Sequence, residues 1–395
     1  MAVSAPDPSR RAGGVITLLA SLAIALLTLR PSHGPPPTLE GGYLATDLLL
    51  NIILFFPLGL GLALLGVRPG VAIAIGLVSS TCIELAQLWV IPGRFASVHD
   101  VVTNGLGCAL ATMMMARWST RARWWRLLAP FVAASVVTAW VVGSFLVLPA
   151  PPVTGTMWGQ WGHEFNGVQF TGRVLAFSVQ QMPIPDGRLP EGERLRDLLA
   201  GADTIRLAAT IISGSAEGRF RSQVVSVIGG KQDEYVGVWQ RGRSLQAHFR
   251  AKTGTVSLRS PWVRLEDGLP GAAGDTVRIT LAENKRRIVL TTTYDGRVGV
   301  SSLRRSPDLF WTGFLPFEFA AGSDNWWLPL LPALPTLVLL GLATHRRVIT
   351  AVLALAGALL LGPLLTGISI PAWPVLVAGA VSIALGVRLA RGLGL

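Results

Sequence analysis

Residues 47–107 read DLLLNIILFFPLGLGLALLGVRPGVAIAIGLVSSTCIELAQLWVIPGRFASVHDVVTNGLG. Two long apolar runs and the start of a third carry polar residues at repeated helical spacings: Asp47 and Asn51, Glu84 and Gln87, Asp100 and Asn104, with Arg94 between the last two pairs. Residues three or four apart share one helix face, so each pair points one way. A charged side chain inside a membrane-length apolar run is costly and marks a function or a partner.

The composition agrees with a membrane setting. The 395-residue chain is 51% hydrophobic and 14% charged, against about 25% charged for an ordinary soluble domain. Its mean hydropathy is +0.52 and its net charge +12. Outside residues 151–327 the basic residues are all arginine and lie mostly between apolar runs. That is a topology signal, and anionic lipid head groups rather than nucleic acid are the expected partner. The two cysteines, Cys82 and Cys108, make no disulfide framework and no zinc spacing. No phosphate loop or paired-histidine motif appears, so no cofactor and no metal are expected.

Working outward, apolar runs at 14–29, 43–66, 71–91, 97–116, 127–148, 326–343, 348–370 and 373–389 predict eight membrane-spanning helices. The run at 326–343 carries Pro329, Pro332 and Pro335 and must start late or kink. Residues 155–322 change character, with short alternating runs between Gly, Pro and Asp. The strands expected are 173–180, 204–212, 223–228, 235–240, 245–250, 277–281, 288–293 and 298–303, as in an antiparallel sandwich or barrel. The expected organisation is a cytoplasmic terminus at 1–13, five helices within 14–148, an all-β insert at 155–322 and three helices within 326–395. Placing Arg10 and Arg11 in the cytoplasm puts Arg68, the arginines of 117–126, Arg346–Arg347 and Arg388/Arg391 inside as well. The protein is then a multi-pass protein of a bacterial inner membrane with its β domain outside.

This topology brings Asn51, Glu84 and Asn104 to one depth, about 10 Å below the outer surface at about 1.5 Å per residue. The candidate polar pocket is Asn51, Glu84, Gln87, Arg94, Asp100 and Asn104. Two plainer readings stand beside it. Ser97-Val98-His99-Asp100 reads as a capping box, and the amides can serve as interhelical glue.

The string Asn51-x-x-x-Phe55-x-Pro57-x-Gly59, Glu84-x-x-Gln87, Arg94-x-x-Ser97-x-x-Asp100-x-x-x-Asn104-x-x-Gly107 resembles the VanZ-like family of membrane proteins. The family is named for a teicoplanin-resistance protein and has no settled biochemical activity, so the resemblance implies cell-envelope work and no reaction. The insert is similar to a concanavalin-A-like, laminin-G-type jelly roll over 204–212, 219–228, 235–250 and 292–297. Such folds often bind glycans, which makes Trp239, Arg241, Trp262 and Tyr294 candidate glycan contacts. Single aromatics on sandwich strands serve equally as core residues. The functions left open are an envelope factor that binds a glycan or glycopeptide, with a polar pocket for a lipid-linked or head-group moiety, linked to glycopeptide tolerance; a membrane-embedded enzyme acting on a lipid-linked precursor through Glu84 or Asp100; and a structural or sensory component.

Overall fold

The computed structural model describes residues 8–29, 44–91, 97–116, 121–150, 155–164, 168–215, 221–229, 234–256, 258–315, 320–321, 330–346 and 348–392. The chain divides into two compact units, residues 1–126 and 127–395.

The first unit holds α1 (Pro8–Thr28), α2 (Leu44–Leu64), α3 (Pro69–Trp89) and α4 (Val98–Ala116). A Schellman motif ends α2. Gly66 takes a φ of +83°, its N–H reaches Ala63 O at 3.0 Å, and the Val67 N–H reaches Leu62 O at 3.1 Å. Pro69 then opens α3, where its missing N–H costs nothing. α2 and α4 pack backbone to backbone through glycine. A Cβ at Gly59 would strike the Cys108 backbone, and one at Gly107 the Ile52 backbone. With no lipid-excluding drive between helices, such small-residue approaches supply the contact energy.

The second unit begins within α5 (Arg121–Leu146) and continues into the sandwich. A seven-stranded sheet contains β1 (Trp158–Trp161), β4 (Gly187–Arg188), β6 (Ser222–Ile228), β7 (Glu234–Arg241), β8 (Ser244–Phe249), β9 (Trp262–Leu265) and β13 (Ala320–Ala321), in the order β13-β9-β8-β7-β6-β1-β4. A six-stranded sheet contains β2 (Arg173–Val179), β3 (Met182–Pro183), β5 (Thr204–Ile212), β10 (Thr276–Asn284), β11 (Arg287–Tyr294) and β12 (Arg297–Arg304), in the order β12-β11-β10-β5-β2-β3. The pairing is antiparallel except β13 on β9. The inward faces of the two sheets, among them Leu207, Ile211, Val236, Val238, Ile279 and Leu290, form one apolar core. Asp295 and Gly296 both take positive φ in the β11–β12 turn, the two-residue geometry that matches strand twist. A two-sheet antiparallel sandwich fits an inserted jelly roll. The eight expected strands lie where the alternation places them. β1, β9, the shortest strands and a helix, α6 (Gly192–Ala200), are additions.

After the short α7 (Leu309–Thr312) come α8 (Leu330–Thr344), α9 (Val348–Ala356), α10 (Gly362–Thr366) and α11 (Trp373–Gly392). A π turn at Gly357–Leu361 joins α9 to α10. Pro363, which has no N–H and crowds the carbonyl four residues back, accounts for the widened turn. The sandwich is tied to its flanking helices by main-chain bonds: Ala150 N–H to Arg250 O at 2.8 Å, Lys252 N–H to Leu148 O at 2.9 Å and Ser369 N–H to Arg305 O at 2.8 Å. Arg305, 2% exposed, pairs inside with Glu283, 1% exposed, and donates to the Val147 carbonyl at the end of α5. α7 adds an aromatic contact, with the Trp311 ring 5.6 Å from Trp140.

Helices therefore occupy all eight apolar stretches. Among the described residues, five segments are long and apolar enough to cross a membrane: Arg10–Thr28, Pro69–Trp89, Ala129–Leu146, Ile349–Thr366 and Trp373–Arg391. α2 and α8 contribute, among the described residues, the apolar stretches Leu50–Leu64 and Ala333–Thr344. α4 is diluted by His99, Asp100, Thr103 and Asn104. The expected loops at 31–42 and 92–96 lie outside the described residues.

Candidate functional sites

The buried residues of α3 are Ala72, Gly76, Ser80, Glu84 and Gln87, one every three or four positions. They form a single stripe, small at the start of the helix and polar at its end. α4 meets this stripe in steps. Cys108 Sγ donates to the Ala72 carbonyl at 3.2 Å, and its Cβ fills the space that a side chain at Gly76 would need. One turn on, Asn104 Nδ2 donates to Ser80 Oγ at 2.8 Å. At the open end, the Ser97 N–H donates to Glu84 Oε2 at 2.6 Å. Beyond α4, Gln87 Nε2 reaches the Thr28 carbonyl of α1 at 2.9 Å.

The polar residues of α3 and α4 thus meet, though in a register different from the one expected. Asn104 lies opposite Ser80, and Glu84 faces the start of α4. The N–H that a capping box would hand to Asp100 goes to Glu84 instead. A carboxylate there also faces the positive end of the α4 dipole. Ser80 was missed because a serine in an apolar helix carries no signal by itself; its spacing to Glu84 is the clue. Asn51 is half-buried on α2. The side chain of Asp47 and all of Arg94 lie outside the described residues. Asn104, 3% exposed, keeps its Oδ1 buried with no hydrogen-bond partner among the described residues. That atom can accept one more donor.

Against the known families, residues 15–119 match the model described as VanZ/LLP1. This part of the chain is a VanZ-like domain. The α3–α4 stripe is its interior, and the apolar helices fit a membrane protein built on it. The family match stops before the sandwich. No curated protein and no solved structure matches the chain.

The second candidate lies on the outer face of the seven-stranded sheet. Strand alternation turns Val236 and Val238 inward and Trp239 outward, and the β7–β8 and β8–β9 registers set Gln246, His248 and Trp262 beside it. Trp239 and Trp262 meet edge to face with centroids 6.3 Å apart, and His248 stacks on Trp262 at 3.9 Å. Glu234 bridges the pair, accepting from Trp239 Nε1 at 3.0 Å and from His248 Nε2 at 2.8 Å. Only glycine permits this, because a Cβ at Gly237 would collide with the Glu234 carboxylate. The Arg221 guanidinium lies over both rings, 4.8 Å from Trp239 and 4.2 Å from Trp262. Burial pulls it down to about 10; Glu234 supports the charge, and nearby Arg241 opposes it. Farther along the face, Gln223 donates to Gln160 Oε1 at 3.0 Å and to Ser226 Oγ at 2.8 Å. This polar face is covered, with Gln223, Ser226, Trp239, Gln246, His248 and Trp262 all under a tenth exposed.

Of the predicted glycan contacts, Trp239 and Trp262 are adjacent and Arg241 shares their face at the exposed end of β7. Tyr294 belongs to the other sheet, where its hydroxyl donates to the Asp267 carbonyl at 3.4 Å. Arg221, Glu234 and His248 were missed. The sequence sign was Glu234-x-x-Gly237-x-Trp239, a glycine set between two outward positions. A groove of about 600 Å³ lined by Gln180, Gln181, Met182, Glu191 and Arg194 holds none of the predicted residues.

Proposed function

We propose that this chain is a cell-envelope membrane protein whose sandwich binds an envelope glycan or glycopeptide on the outer face of the seven-stranded sheet, while its VanZ-like helices engage a lipid head group or lipid-linked moiety beside the α3–α4 stripe. All eight apolar helices cross the membrane in this reading. The arginine-bearing connections face the cytoplasm of a bacterial inner membrane, the sandwich lies outside, and the protein contributes to tolerance of glycopeptide antibiotics.

One observation carries the reading. The seven-stranded sheet carries paired tryptophans and a row of amide, hydroxyl and imidazole groups on the face away from its core, beneath a cover that a ligand would have to displace. Aromatic faces with a few fixed polar groups are what saccharide rings and their hydroxyls require. Glu84 holding the Ser97 N–H suits a tie between helices better than an acid/base, which places the enzyme reading second.

The test uses full-length protein in nanodiscs against a panel of envelope glycans and neutral glucans. The expected result is saturable binding to at least one envelope glycan, weakened at least tenfold by Trp262→Ala. Absence of binding to every member would reduce the sandwich to a spacer.

A further inference from the structure

Positive charge gathers on the sandwich where it meets the helices that follow it. β10 ends at Asn284 and β11 begins at Arg287, so Lys285 and Arg286 form the turn and Arg287 follows it; all three are exposed. The Asn284 side-chain oxygen accepts from the Arg286 N–H at 2.8 Å and the Arg287 N–H at 3.0 Å, which holds the turn without an acid. The neighbouring acid, Glu283, is buried against Arg305. Across the ladder Arg287 lies directly opposite Arg304, which is also exposed. Like charges in facing positions destabilise a pair of strands. Among the described residues, Lys285, Arg286 and Arg287 have no side-chain hydrogen bond or ion pair, and the charge of Arg304 acts on buried Asp308.

The bonds of this turn fix its place. The Arg286 carbonyl accepts from Ser369 Oγ at 3.0 Å, and the Arg305 carbonyl accepts from the Ser369 N–H at 2.8 Å. Ser369 lies in the short connection between two of the membrane-length segments, Ile349–Thr366 and Trp373–Arg391. That connection carries Ile370 at 53% exposure and opens onto Trp373 at 74%, the apolar and indole groups of a membrane–water boundary. The turn is therefore fastened at head-group depth. Arg346 and Arg388 mark the other end of the same helices. The rule that arginine selects the cytoplasmic side accounts for one end of the helices and leaves the charge at this end unexplained.

We propose that Lys285, Arg286, Arg287 and Arg304 receive the phosphate of an anionic phospholipid in the leaflet beside the α10–α11 connection. Guanidinium groups meet phosphate oxygens with two N–H groups at a time, and an anion between Arg287 and Arg304 replaces their repulsion with attraction on both sides. The site is separate from the covered face of the seven-stranded sheet and from the α3–α4 stripe. It requires the two segments to cross a membrane and is independent of glycan binding.

A bimane label on Ile370→Cys, with Cys82 and Cys108 replaced by alanine, reads the lipid beside the turn in full-length protein reconstituted in phosphatidylcholine bilayers. The quenchers are phosphatidylglycerol and phosphatidylcholine carrying the same spin-labelled acyl chain at equal mole fraction. Quenching by phosphatidylglycerol is expected to be roughly threefold stronger and to weaken as salt is raised. Lys285→Gln with Arg286→Gln and Arg287→Gln abolishes the preference; the positions are exposed and the turn keeps Asn284, so folding is unaffected. Arg173→Gln with Arg278→Gln and Arg297→Gln removes the same charge from exposed positions elsewhere on the six-stranded sheet and leaves the preference in place. Equal quenching by the two lipids with the turn unaltered, or a preference that survives the triple change in the turn, would overturn the proposal. So would loss of the preference to a soluble glycerol-phosphate oligomer at constant ionic strength, which would give the site to an envelope polymer instead.

Discussion

The VanZ-like helices and the sandwich both bury an acid, and they do it differently. Glu84 is placed at the end of a stripe of small residues, where the N–H opening α4 reaches it. Glu283 is placed in the middle of a sheet and meets Arg305, a full countercharge that also holds the end of α5. Helix termini present unsatisfied N–H groups, so a helical bundle can hold a carboxylate with backbone. A sheet interior has used its backbone groups in the ladder, so a carboxylate there needs a side chain.

The largest effect that sharpens this contrast belongs to the sandwich. Arg305→Ala leaves Glu283 buried without its cation and frees the Val147 carbonyl. A loss of about 3–5 kcal/mol is expected, the usual consequence of removing one partner of a buried pair. Thermal unfolding of the purified protein measures it. Arg305→Met with Glu283→Leu recovers most of the loss if the charge, rather than the shape, is responsible.

Tyr235 comes next. Burial pushes its phenol up to about 12, with Arg305 pulling the other way. The unfolded phenol ionises near 10 while the folded one keeps its proton, so the unfolded state binds fewer protons between those values. Stability from this group is complete below about pH 10 and falls by about 1.4 kcal/mol per unit as pH rises from there toward 12. Tyr235→Phe flattens that slope. An unchanged alkaline melting profile in the variant would separate Tyr235 from the effect.

The smaller effect lies in the helices. Glu84→Ala strands the Ser97 N–H and is expected to cost about 1–3 kcal/mol, whereas Glu84→Gln keeps an acceptor in place and costs about 1 kcal/mol or less. Equal losses for the two would mean that the negative charge, and not the acceptor, does the holding. The comparison would then collapse into one mechanism.

The same two regions differ in how much of them could be read beforehand. The sandwich strands were legible because alternation has a period of two, and a slip of one residue would turn Val277, Ile279 and Leu281 out of the core. The edge strands escaped because two or four residues carry no period. In the helices, the apolar runs and the polar pairs were legible, and the register between helices was not. Moving α4 by one turn against α3 keeps every polar residue inward, so Asn104 opposite Glu84 and Asn104 opposite Ser80 look alike in one dimension. Packing decides between them. Cys108 must fit against Gly76 and the Ala72 carbonyl, and that contact fixes Asn104 on Ser80. The cluster on the seven-stranded sheet was half legible for a related reason. Its tryptophans announce themselves, but Glu234 and His248 acquire meaning only once β7 and β8 are paired.

Oxidative cross-linking of Ser80→Cys with Asn104→Cys in native membranes tests the helical register most directly, with Cys82 and Cys108 replaced by alanine. The register predicts rapid disulfide formation for this pair and none for Val78→Cys with Leu106→Cys, whose parent side chains point outward at 63% and 46% exposure. Cross-linking of the outward pair with silence from the inward one would contradict it.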